Sequence, residues 1–198
     1  MRASSLILKE IDSLDELHQK EDEYRAYLDM HIGNVYEALK KLHTLGIPFI
    51  EQNFNELCNI CREHDASKYT IDEFDAYRRH WYPTKEEEEH PNDEEYEAAV
   101  KHHIKNNKHH WDYWVDDKGE FIEPEGGTQE RQIYAVEMLC DWMSMSHYCR
   151  NHIREWLDSG DEDVKLPDYI WEFINPIIDI LETKPYRLDE WKDDKNED

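Results

Sequence analysis

Apolar and aromatic side chains return at three- and four-residue steps from Tyr24 to Leu45: Tyr24, Tyr27, Leu28, His31, Val35, Leu39 and Leu42. That spacing lines one face of a helix, and Gly46 and Pro48 read as its end. Asn53 with Glu56 looks like the start of a second helix reaching about Glu63, after which His64-Asp65-Ala66-Ser67-Lys68 forms a break. Thr70 and Glu73 have the spacing of a capping box, which predicts a third helix through Trp81, closed by Pro83. Lys85 to Asn92 reads as a charged connection. Asn92 or Asp93 then caps a fourth helix carrying EYEAAVKHHIKNN. Residues 115–127 read as a loop, and Thr128 opens a long fifth helix through at least Cys149. Pro167 starts a last helix through Ile180, with Pro176 as a kink. Neither a strand meander nor an internal repeat is evident. The pattern predicts an all-α protein of about six to seven helices. It has a polar segment over 1–20, read as a loosely held N-terminal helix, a helical domain over 21–185 and an acidic tail over 186–198.

Composition changes this picture in two ways. Hydrophobic residues are only 38% of the chain, but seven Trp and twelve Tyr supply large rings, so a core can still close. The net charge of −25 repels nucleic-acid phosphates and anionic membranes, which argues against either as a partner. The same charge suits metal cations and basic protein surfaces, including the role of a DNA mimic that occupies a basic groove. Acid meets the start of the chain at once and no long apolar run follows, so a cytoplasmic protein with free thiols is expected. Cys58 and Cys61 form a C-x-x-C within a helical stretch. Cys140 and Cys149 do not complete a zinc-type spacing, so the first pair reads as buried helical thiols.

Candidate chemistry gathers at His31, at the adjacent pair His64-Asp65 and at Asp141. These lie on three predicted helices or their ends, each near an apolar face. Imidazole and carboxylate are the donors that hold Mn²⁺, Fe²⁺, Zn²⁺, Co²⁺ or Ni²⁺, and carboxylate also suits Mg²⁺. Taken singly, His31 is equally a hydrogen-bonded core residue, and Lys68 equally a plain connecting lysine. His102, His103, His109 and His110 read either as further ligands or as a histidine-rich surface. Glu137, one turn before Asp141 on the same face, reads as an ordinary surface residue, or else as a base or a supporting group beside the ligands. Trp81, Trp111, Trp114 and Trp142 read as core.

The order His…His-Asp…Asp resembles the signature of the HD superfamily of metal-dependent phosphohydrolases, over roughly residues 24 to 150. HDASK is similar to the HD-x-x-K of many members. More narrowly, HIGNVYEAL, HDASKYTIDEFDAYRRHWYP, HHIKNNKHHWDYW and EMLCDWMSMS resemble a family of short phage and bacterial proteins. The resemblance implies an HD-like helical bundle and a divalent ion held by His31, His64, Asp65 and Asp141. Asp65 and Lys68 become the catalytic pair, Lys68 contacting phosphate, and His102, His103, His109 and His110 supply further ligands for one or two ions. It implies hydrolysis of a small phosphoester, a nucleotide above all. No GYP follows the second histidine pair, so the cyclic-dinucleotide branch is not supported. Arg62, Lys68, Arg78, Arg79, Lys101, Lys105 and Lys108 suggest a basic pocket inside an acidic chain. The competing expectation is a non-enzymatic acidic protein that binds metal or inhibits a basic partner.

Overall fold

The structure, a computed structural model, describes residues 2–149, 152–159 and 163–183. Among them are eight α-helices: α1 (Arg2–His43), α2 (Pro48–Arg62), α3 (Phe74–Trp81), α4 (Lys85–Glu88), α5 (Asp93–Asn106), α6 (Gly127–Cys149), α7 (Ile153–Ser159) and α8 (Asp168–Thr183). Two 3₁₀ turns, Ala66–Tyr69 and Trp111–Trp114, complete the list, and the fold is all-α as the periodicity predicts. The only extended pairing among the described residues is one bridge, Val115 with Phe121, across the turn at Gly119. The predicted tail, 186–198, lies outside the described residues. So does the junction at 150–151, just past the predicted fifth helix.

Several predicted boundaries move, each for a local reason. The polar start and the Tyr24 helix are one element, α1. No proline interrupts it, and pairs one turn apart such as Lys20–Glu23 (3.0 Å), both half-buried, support it. Pro48 opens α2 rather than following a helix end. At a first helical position its missing N–H costs nothing. Asn53 therefore lies inside α2, donating to the Phe49 carbonyl at 2.8 Å instead of capping. The Thr70–Glu73 capping box does not form: the Thr70 hydroxyl donates to the Ser67 carbonyl at 2.6 Å, and α3 starts only at Phe74. A complete capping box occurs instead at Thr84 and Glu87, opening the short α4 in what reads as a charged connection.

The chain divides into two compact units, each assembled from two stretches of sequence. The first, Met1–Gly33 with Glu63–Lys108, is built on a small aromatic core of Tyr24, Leu28, Phe74, Tyr77 and Ala99. Within it α3 packs on α5, and both pack on the Ala66–Tyr69 turn. Trp81, at the last position of α3, is 61% exposed and is not core. Arg78, by contrast, is fully buried because Glu87 and Asp75 neutralise its guanidinium.

The second unit, Asn34–Arg62 with His109–Asp198, has a larger aliphatic core. Val35, Leu39 and Leu42 join Leu57, Cys61, Val136, Leu139, Met143, Ile170, Ile174 and Ile178. α6 is the centre of this unit, packing on α2, α7 and α8. Cys58 and Cys61 are buried on α2 and the thiols are free. Burial, with Cys61 beside it, pushes the Cys140 thiol up. No helix among the described residues is long and apolar enough to cross a membrane.

Candidate metal centre

His31 lies on the buried face of α1, one turn beyond Tyr27, whose ring stacks on it at 6.1 Å and 5°. His64 and Asp65 follow the end of α2, where the chain turns into Ala66–Tyr69. Asp65 makes that turn at φ 57°, in the left-handed region, where Asp is among the few side chains tolerated. It is the sole non-glycine residue at positive φ among the described residues. The cost is of order 1 kcal/mol, and it is met by tertiary contacts that hold the side chain inside. His64 and Asp65 are each only 1% exposed.

The result is a buried convergence of three donor atoms. His31 Nε2 and His64 Nε2 are 3.3 Å apart, and Asp65 Oδ2 is 3.7 Å from each. Ligands bound tetrahedrally at about 2.0–2.2 Å lie about 3.3–3.6 Å from one another, so the imidazole pair has the spacing of one coordination shell and Asp65 Oδ2 lies about 0.1 Å beyond it. Lys68 Nζ donates to the same Oδ2 at 2.6 Å and lies 5.2 Å from the Tyr77 ring centre. Asp65 thus faces two imidazoles and an ammonium on one oxygen.

Its other oxygen faces a histidine on α5. Asp65 Oδ1 is 3.1 Å from His103 Nε2, and His103 Nδ1 is 2.9 Å from Glu73 Oε2. Glu73 is fully buried and is shared: Oε1 accepts from His102 Nδ1 at 2.7 Å and Oε2 from the Ser67 hydroxyl at 2.9 Å. Burial alone pushes Glu73 up, but the hydrogen bonds from His103, His102 and Ser67 outweigh it and hold the carboxyl below the usual range. For His103, burial pushes down, and hydrogen bonds to Asp65 and Glu73 outweigh that and raise it.

The remaining predicted residues distribute as follows. His102 turns away from Asp65, half-buried, toward Glu73 and Asp72. His109, His110 and Asp141 belong to the second unit. There His109 is buried with Nδ1 3.4 Å from Glu137 Oε1, and the His109 and His110 rings lie 4.3 Å apart. Glu137 is buried, not a surface residue. Asp141 is half-buried one turn further along α6. Among the described residues, then, buried His, Asp and Glu groups are close enough to hold a metal ion.

Two of the arginines expected in a basic pocket are engaged by acidic partners. Arg78 is committed to Glu87 and Asp75, and Arg79 to Glu95 and Glu87. In the first unit Lys68 is the cation that contacts Asp65.

Fold and site together define a class: an all-helical protein with a buried imidazole–carboxylate cluster suited to a metal ion. The chain belongs to a family of unknown function (DUF5662), whose sequence profile matches residues 20–180. No curated protein and no solved structure matches it.

Proposed function

We propose that this protein is a divalent-metal-dependent phosphohydrolase acting on a small phosphoester of nucleotide size. The observation that carries the reading is the mutual spacing of His31 Nε2, His64 Nε2 and Asp65 Oδ2, at 3.3–3.7 Å in a buried setting. Support also comes from the sequence, where His…His-Asp…Asp and HDASK resemble the HD superfamily. Three protein ligands leave coordination positions for water and substrate, as catalytic rather than structural sites do. A bound divalent ion supplies Lewis acidity, which brings the ionisation of water toward neutral pH. His31, His64 and Asp65 hold it. Lys68, already placed at Asp65, offers its ammonium to a phosphoryl oxygen as negative charge develops there. Free thiols at Cys58, Cys61, Cys140 and Cys149 suit the cytoplasmic location that belongs to this reading.

Untagged protein should carry a stoichiometric divalent metal by elemental analysis. With Mn²⁺, Co²⁺ or Ni²⁺ it should hydrolyse a member of a panel of nucleoside mono-, di- and triphosphates and cyclic nucleotides. Asp65→Asn should abolish turnover, and Lys68→Ala should lower it by about 10²–10³. The ligand that the sequence pattern adds, Asp141, belongs to the second unit, and Asp141→Asn is a separate measurement.

A second reading rests on the net charge of −25, which favours a basic partner surface. Metal content without turnover across the panel, and a biological role that survives Asp65→Asn, would replace the enzyme by an acidic binding protein.

A further inference from the structure

Glu73 is a fully buried carboxylate, and Arg78, a buried cation of the same unit, is taken by acidic partners of its own. A carboxylate without hydrogen-bond donors at that depth is costly, and Glu73 collects three, from His102, His103 and Ser67. Ser67 is itself braced by the Asn107 amide, which donates to its hydroxyl at 2.7 Å and to the His103 carbonyl at 2.8 Å. The ring of His103 is therefore gripped at Nδ1 while its Nε2 faces Asp65 Oδ1 at 3.1 Å. An ionised carboxylate can only accept, so the proton of the Glu73 contact sits on Nδ1. The hydrogen bond made by one ring nitrogen decides what the other can do.

We propose that Glu73 is the positioning residue of the centre: it accepts from His103 Nδ1–H and fixes the orientation of the ring, so that Nε2 is turned to the Asp65 carboxylate as a donor. The effect on metal rests on the proposed metal reading, whereas the effect on the ring does not. His103 touches Asp65 directly, and alteration of groups that orient a metal ligand typically changes affinity by about 10- to 100-fold; Glu73 acts through it.

Two measurements test this. Nitrogen-15 NMR of the metal-free protein should show His103 protonated at Nδ1, and Glu73→Gln should shift that signal. The wild-type spectrum can overturn the contact by itself, even where the substituted protein fails to fold. Calorimetric titration with Zn²⁺ alone should show binding weakened about 10- to 100-fold in folded Glu73→Gln. Ser67→Ala, which leaves the Glu73–His103 contact in place, should lose less. A His103 ring unprotonated at Nδ1 in the wild type overturns the inference. So does Zn²⁺ affinity unchanged in folded Glu73→Gln. Wild-type protein that binds no Zn²⁺ while His103 keeps its Nδ1 proton refutes the metal reading and leaves the positioning role of Glu73 standing.

Discussion

Asp65 joins two roles that the sequence shows only in part. The adjacency His64-Asp65, preceded by His31, is legible as a ligand pattern, but the φ of 57° that turns Asp65 inward is a tertiary outcome. Asn tolerates the same backbone region, so Asp65→Asn should keep its circular dichroism spectrum while losing the affinity for metal proposed for this site. Glu73 is not legible as a site residue, because Thr70-x-x-Glu73 has the local look of a helix cap. The histidines that claim it come from about thirty positions downstream, where only the fold can bring them. Glu87 offers a pH test. Its hydrogen bond with Arg78 outweighs burial and, with the Thr84 backbone N–H, lowers its pKa from 4.5 to about 2. A carboxylate whose pKa falls on folding stabilises the protein above its unfolded value and loses that contribution as pH drops. Melting temperature should therefore fall between pH 4.5 and about 2, and Glu87→Gln should flatten that part of the profile.

At the level of elements, long periodic stretches are readable and short ones are not. The face of α1 from Tyr24 to Leu42 and the length of α6 follow from apolar spacing that many buried contacts reward. α4 is four residues of acid and lysine with no apolar face, so periodicity is silent. Its existence depends on the reciprocal Thr84–Glu87 cap, with the Thr84 hydroxyl accepting at 3.3 Å and the Thr84 N–H donating at 2.9 Å. Thr84→Ala should cost about 0.5–2 kcal/mol in denaturant unfolding. The loss should be shared with Arg78, since Glu87 serves both.

For the whole molecule, the charge of −25 sets two expectations. Self-repulsion among exposed acids opposes compactness, so moderate salt should raise the melting temperature. An ion bound only by the folded chain should raise it further, by about 2.7 kcal/mol of stability at a hundredfold excess over Kd, and a chelator should reverse the gain. Differential scanning calorimetry in matched salt separates the two. Composition announces the acidic surface, but it cannot announce that the chain serves two cores in alternation: 1–33 and 63–108 for one, 34–62 and 109–198 for the other. This interleaving has a consequence for synthesis on the ribosome. The earlier core has all of its segments once Lys108 has emerged, while residues 34–62 must wait, with Leu57 and Cys61 uncovered, until α6 is made. The interval in which a nascent chain is most open to chaperones and to aggregation is thus written into the order of its segments.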